Sequence, residues 1–320
     1  MPITLLLNVD IAPSFRAAFE QAGFVLRSAI RENDRSPVLP DGDATEIQAV
    51  LTIGSIGLRA ADMDALPNLK IICCQGVGYE KVDLDAARAR GIMVTNGAGT
   101  NDTAVADHAM ALLASVARNI PALDRAVRRG EWQQLRRNRP QLTGKRVGIL
   151  GLGNIGLKIA TRCSAGFGMQ VAYHNRRART DSDLPFYATV EELAQWADYL
   201  VVATPGGAGT RHLINQQVLA ALGPKGFLIN ISRGSVVDTD ALIACLQQQT
   251  IAGAALDVLE SEPQVPEALK QLDNVVLTPH VAARSPEALV AMLDKVLSNL
   301  TRYFAGQPVL SPVPGMNTSA

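Results

Sequence analysis

The sequence has no excess of either charge: 30 Lys+Arg stand against 30 Asp+Glu over 320 residues. A protein that grips nucleic acid by neutralising phosphates carries a basic surplus, so no nucleic-acid partner is expected. Locally, Arg136, Arg137 and Arg139 form a small basic cluster. Cysteine is scarce. Cys73, Cys74, Cys163 and Cys245 form no C-x-x-C pair, and their spacing suits neither a zinc site nor a disulfide framework. No metal is expected, and the thiols read as buried residues of a reducing compartment. No run of about 20 apolar residues is present to span a membrane. Residues 1–9 lack the basic and apolar regions of a signal peptide. The expectation is a cytoplasmic protein with no membrane partner. A repeat of the solenoid kind is also missing.

What is present is apolar and alternating. Hydrophobic residues make up 48% and charged residues 19%, enough for packed cores. At about 100–200 residues per domain, the length suggests two domains. Strand-like runs at 3–8, 49–53, 69–74 and 92–95 are interleaved with helical patterns at 13–21 (ended by Gly23) and 84–90. Asn101, Asp102 and Thr103 offer N-cap chemistry ahead of a helical run to Arg118. A second series follows: strands at 146–150, 170–174, 199–203, 226–231, 251–256 and 275–277, with a helix at 155–167. Strand–helix alternation of this kind argues for parallel sheets. The last helix, 286–304, carries an apolar stripe of Leu289, Met292, Leu293, Val296, Leu297 and Leu300. Residues 307–320 read as a loose tail.

One turn is rich in glycine: Gly151-Leu152-Gly153-Asn154-Ile155-Gly156, between a buried strand and an apolar helix. In that context Gly151 allows a tight turn, Gly153 lets backbone approach a pyrophosphate, and Gly156 lets helix pack on strand. The helix N-terminus offers N–H groups to the anion. A dinucleotide fits best; a flavin or S-adenosylmethionine site is a rival. NAD sites usually place an acid about 20 residues further on, at the end of the second strand. Here that place has no acid and reads Asn175-Arg176-Arg177, with Arg179 beyond. A carboxylate would repel a ribose 2′-phosphate, whereas guanidinium groups pair with it. NADPH/NADP+ is therefore favoured over NADH, the alternative being a solvated basic loop.

Three later strand ends carry chemistry. Arg233 follows one strand, Asp257, Glu260 and Glu262 the next, and His280 the last. A protonated His can give a proton to the alkoxide formed when hydride reaches a carbonyl. A carboxylate on the far ring nitrogen orients it and favours its charged form. An Arg can clamp a substrate carboxylate. Singly, each has a structural alternative, an ion pair or a satisfied polar residue; together they point to carbonyl reduction.

At this point the chain resembles the D-isomer-specific 2-hydroxyacid dehydrogenase family, from about residue 49 to 312. The resemblance is carried by Gly76-Val77-Gly78-Tyr79, Val94-Thr95-Asn96, Ala106-Asp107, the glycine turn, Ser232-Arg233-Gly234, Asp257-Val258, Glu262-Pro263 and Pro279-His280. Arg233 precedes Glu262 by 29 residues and Glu262 precedes His280 by 18, as in the family pattern. Residues 168–176 and 272–280 resemble the glyoxylate/hydroxypyruvate reductase branch, which includes reductases of aryl pyruvates. The resemblance implies an α/β fold of two Rossmann- or flavodoxin-like doubly wound parallel-sheet domains with a cleft between them. Residues 1–98 with 285–320 would form the substrate domain and 99–284 the dinucleotide-binding domain.

The same resemblance implies roles. His280 is the general acid, Glu262 its partner, and Arg233 the ligand of the keto acid. The Val77 and Gly78 N–H groups bind the same carboxylate. Asp257 meets the nicotinamide carboxamide and Thr103 the pyrophosphate side, while Thr204, Pro205, Thr210, Ile231, His280 and Ala282 join the glycine turn and Asn175, Arg176 and Arg177 as cofactor contacts. The 18-residue spacing selects Glu262 over Glu260. Residues 120–138, with Trp132, resemble a dimerisation arm, although Trp132 could equally be a core residue. One departure follows Pro279-His280: Ala283 stands where a hydroxyl is usual, and Arg284 is bulky and charged. The activity implied is NADPH-dependent reduction of a small 2-keto acid to the D-2-hydroxy acid by a homodimer. The alternatives are an NAD-dependent oxidative member of the family and a dinucleotide-sensing binding protein.

Overall fold

The computed structural model describes residues 2–29 and 44–316. In chain order the elements are β1 (Ile3–Leu7), α1 (Pro13–Gln21), β2 (Phe24–Ser28), β3 (Ile47–Thr52), α2 (Ala60–Asp64), β4 (Ile71–Cys74), α3 (Leu84–Ala89), β5 (Met93–Thr95), α4 (Asp102–Arg118) and α5 (Ile120–Arg128). There follow β6 (Arg146–Leu150), α6 (Asn154–Thr161), β7 (Gln170–His174), α7 (Val190–Trp196), β8 (Tyr199–Val202), α8 (Gln216–Leu222), β9 (Phe227–Asn230), α9 (Thr239–Gln247), β10 (Gly253–Leu256), α10 (Glu267–Lys270), β11 (Val275–Leu277) and α11 (Pro286–Phe304). Two compact units result: residues 1–101 with 285–320, and residues 102–284.

The first unit has a five-stranded parallel sheet in the order β2-β1-β3-β4-β5. Side chains alternate across a strand, so Leu5 and Leu7 of β1 pack with Phe19, Leu293, Val296 and Leu300 on one face. Leu6 packs with Met63, Ala87 and Val94 on the other. Burial on both faces is why the parallel strands read as continuous apolar runs. β2 and α2 are elements that the apolar pattern did not reveal; in β2 only Phe24 is buried.

Two expectations are corrected in this unit. On α11 the buried face runs through Ala288, Met292, Leu293, Val296, Asn299 and Leu300, and Leu289 is exposed beside it. Residues 307–316 are docked rather than loose. Asn299 lies on the buried helix face, where its amide donates to Ser311 Oγ (2.9 Å) and accepts from Leu310 N–H (2.7 Å). Ser311 Oγ in turn donates to the Asn96 carbonyl (2.6 Å), the Val313 N–H bonds to the Val94 carbonyl (2.9 Å), and Val313 is 1% exposed. A polar residue buried in a helix must find partners, and the C-terminal segment supplies them. The end of the expected tail, residues 317–320, lies outside the described residues.

The second unit has a six-stranded parallel sheet in the order β11-β10-β9-β8-β6-β7. Val147 and Ile149 of β6, with Tyr199 and Val201 of β8, face a core closed by α4 and α6. Leu150, Leu200 and Val202 face the opposite core, closed by α7, α8 and α9. Helices on both faces make the sheet doubly wound, and the chain order reverses between β6 and β8. In such sheets ligands bind beyond the strand carboxyl ends, at that reversal. The helix expected over 155–167 is divided: α6 gives way to a π-helical turn over Arg162–Gly166. There Ser164 Oγ donates to the Ala160 carbonyl (3.0 Å), competing with the regular ladder.

Candidate active site

The glycine turn follows β6, at the reversal point. Gly151 has φ +100°, and a Cβ there would lie 2.7 Å from Thr204 N. A Cβ on Gly156 would lie 2.3 Å from the Gly151 carbonyl oxygen. Both glycines are demanded by the fold itself. Gly153 is different: a Cβ there would meet nothing within 4 Å. Gly153 also begins α6 without any side-chain cap, so the N–H groups of Asn154 and Ile155 remain for a ligand. The cradle fits a pyrophosphate. The Leu152 N–H donates to Asn175 Oδ1 at 2.7 Å, tying the turn to the end of β7.

The basic loop divides by function. Arg179 bonds the Leu152 carbonyl (2.9 Å) and pairs with Asp181 through two contacts. It is a structural latch. Arg176 and Arg177 are exposed and have no ion-pair partner among the described residues. Two exposed guanidinium groups after β7, close in sequence to the Asn175 that ties down the glycine turn, fit a 2′-phosphate.

Beyond β8, Thr210 Oγ1 donates to the Pro205 carbonyl (2.8 Å), closing the loop that begins at Thr204. Ile231 is buried at the end of β9, its N–H bonded to the Val202 carbonyl. Thr103 is exposed on the first turn of α4. Arg233 follows β9, with its stem packed 2.7 Å from where a Gly206 Cβ would stand.

His280 Nδ1 lies 2.8 Å from Glu262 Oε2, and Glu262 Oε1 accepts the Leu259 N–H at 2.9 Å. Burial by itself would raise the Glu262 carboxyl. The hydrogen bonds from His280 and Leu259 and the charges of His280 and Arg233 outweigh it, so the carboxyl lies below its ordinary value. Glu260 belongs to another cluster, with Arg211 (2.8 Å) and His212 (3.0 Å). His280 itself has φ +53°, an uncommon conformation for a residue with a side chain.

Asp257, 2% exposed, turns its carboxylate inward. Oδ1 accepts from Thr278 Oγ1 (2.6 Å) and the Val281 N–H (2.9 Å), and Oδ2 from the Ala282 N–H (2.9 Å). Sequence reasoning did not single out Thr278 or His108, whose Nε2 lies 3.0 Å from Thr278 Oγ1. Each had only its polar type as a signal, which a solvated residue shares.

In the first unit, Val77 and Gly78 follow β4. Asn96 Nδ2 donates to the Val77 carbonyl (2.8 Å), and the Gly97 N–H to the Gly76 carbonyl (2.8 Å). The Val77 and Gly78 N–H groups have no acceptor among the described residues.

Residues 110–282 match the family model described as D-isomer specific 2-hydroxyacid dehydrogenase, NAD binding domain. The chain belongs to the D-isomer-specific 2-hydroxyacid dehydrogenases. This dehydrogenase is 44% identical to a hydroxyphenylpyruvate reductase of Plectranthus scutellarioides over 84% of its length and 86% of that reductase. It is equally identical, 44%, to a 2-ketogluconate reductase of Gluconobacter oxydans, over 84% and 87% of the two chains. Among solved structures it is similar to an NADPH-dependent glyoxylate/hydroxypyruvate reductase of Sinorhizobium meliloti in complex with NADP and malonate. The identity is 39% and the TM-score 0.90, over 100% of this chain and 99% of that one. In this dehydrogenase Val281 and Ala282, ahead of the departing Ala283-Arg284, keep their backbone N–H groups on Asp257, while Arg284 is exposed.

Proposed function

We propose that this dehydrogenase reduces a small 2-keto acid, of the glyoxylate/hydroxypyruvate class or an aryl pyruvate, to the D-2-hydroxy acid with NADPH. The observation that carries the reading is the His280–Glu262 pair at 2.8 Å, at the sheet edge that also bears the glycine turn and Arg176 and Arg177, which have no ion-pair partner among the described residues. Bound NADPH supplies the hydride. Glu262 stays ionised and fixes the Nδ1–H of His280, so the Nε2–H of the imidazolium is the proton donor to the developing alkoxide. Arg233 pairs with the substrate carboxylate and polarises the carbonyl beside it. In the first unit, the Val77 and Gly78 N–H groups, with no acceptor among the described residues, are proposed as carboxylate donors. The second unit is the dinucleotide-binding domain. Gly151, Leu152, Gly153, Asn154, Ile155 and Gly156 cradle the pyrophosphate, and Asn175, Arg176 and Arg177 take the ribose end. Thr103, Thr204, Pro205, Thr210, Ile231 and Ala282 line the remainder of the cofactor site. Asp257 Oδ2, with a single donor among the described residues, has capacity left for a carboxamide N–H.

Two further features extend the reading. Burial pushes the Cys73 and Cys163 thiols up to about 12, and all four cysteines are free and buried, which suits a reducing, cytoplasmic setting. Among the described residues no helix is long and apolar enough to cross a membrane. The exposed apolar arm around Trp132 is the surface for a homodimer. NADPH oxidation with glyoxylate, hydroxypyruvate and phenylpyruvate tests the activity. Turnover of at least one is expected; no turnover of any, with NADPH still bound, overturns the reading.

A further inference from the structure

We infer that His108 is a positioning residue for His280, acting through Thr278 and Asp257; this rests on the reading of His280 as the proton donor. The argument begins with donor counting. An ionised carboxylate only accepts, so at 2.6 Å Thr278 must give its single hydroxyl hydrogen to Asp257 Oδ1. Thr278 Oγ1 then has only lone pairs to offer His108 Nε2, 3.0 Å away. His108 is therefore the donor and carries its hydrogen on Nε2. The same nitrogen lies 3.4 Å from Asp257 Oδ1, so its hydrogen is directed at the Thr278–Asp257 pair as a whole.

Asp257 brackets His280. Its backbone carbonyl accepts the His280 N–H (2.8 Å), and its carboxylate accepts the next two N–H groups, of Val281 and Ala282 (2.9 Å each). These two residues directly follow His280 and its left-handed φ of +53°. Such a conformation persists only where its surroundings over-determine it. The carboxylate is fixed from its other side by Thr278, and Thr278 by His108. The chain of contacts joins α4 to the turn that aims the imidazole at its partner, Glu262. Without the His108 donor, Thr278 Oγ1 keeps its bond to Asp257 but loses the hydrogen bond that holds it from the α4 side, so the Thr278–Asp257 pair is less firmly fixed.

The test uses the full chain with NADPH and hydroxypyruvate, measuring kcat, KM for the keto acid, Kd for NADPH and Tm. His108→Leu and Thr278→Val should each lower kcat about tenfold, with the Kd for NADPH within about twofold of wild type. The double variant should be no slower than the worse single, because one chain of contacts is broken once. His108→Gln, which retains a donor, should recover most of kcat, as should Thr278→Ser. His280→Ala, run in parallel, separates the two readings. If it loses activity while His108→Leu keeps wild-type kcat, the inference about His108 is wrong and the proposed function stands. Multiplying single effects, or loss that tracks Tm without rescue by Gln, also overturns it. If His280→Ala keeps its kcat, the functional reading itself falls.

Discussion

His280 combines an uncommon backbone conformation, an acid partner and an exposed ring, 44% accessible. A group meant only to be a satisfied polar residue has no need of that exposure. Replacing it with Ala should lower kcat for reduction by about 10²–10⁴, the scale of general-acid catalysis; unchanged kcat in the steady-state assay removes it from the mechanism. Glu262 gives a pH prediction. Its carboxyl lies below its ordinary value in the folded protein, so the unfolded chain binds its proton first as pH falls. The stability it contributes is complete above the unfolded value of about 4.3 and is lost as pH drops through the lower folded value. In urea titrations the advantage of wild type over Glu262→Gln should therefore shrink on going from pH 6 into that acid window. A constant difference would show that the carboxylate is not held ionised by its neighbours.

At the scale of elements, the glycine turn and the loop after β7 act together. Leu152 is held from both sides, its N–H by Asn175 and its carbonyl by Arg179, while Arg176 and Arg177 remain uncompensated. Changing Arg176 and Arg177 together to neutral residues should raise the KM for NADPH more than for NADH. Asn175→Ala should instead weaken both cofactors alike, roughly tenfold, because it frees the turn that meets their shared pyrophosphate. Equal effects of the arginine change on the two cofactors would show that the loop does not read the 2′-phosphate. The turn, the arginines and the strand-end Arg233, Glu262 and His280 were legible because fixed spacings and strong strand signals surround them. Strand β2 was not, since its one buried residue leaves no alternation to read. The docked segment 307–316 was missed because its Pro, Ser and Gly content looks like a tail, and its binding signal is a single Asn299 on a helix face. His108 was missed for a similar reason: it stands beside Asp107 among several polar residues of α4, and its sequence position does not separate it from a solvated side chain.

At the scale of the whole molecule, the two sheets repeat one plan. In chain order within each unit, the second strand sits outside the first and the third lies on its other side. What breaks this plan is the arm between α4 and β6, which belongs to neither sheet. It exposes Ile120, Val127 and Trp132, the last at 62%, so Trp132 is not a core residue. Several arginines nearby are already neutralised: Arg128 pairs with Asp124, Arg129 with Glu131 and Arg125 with Asp273. Apolar side chains ringed by compensated charges support the homodimer surface proposed for this arm. An isologous dimer buries such a patch on both copies through one twofold axis, so a single change acts twice. Trp132→Glu should therefore shift the protein from dimer to monomer in sedimentation equilibrium at micromolar concentration while leaving the far-UV circular dichroism spectrum unchanged. A wild-type protein that sediments as a monomer, or a dimer indifferent to Trp132→Glu, would place the interface elsewhere or nowhere on this arm.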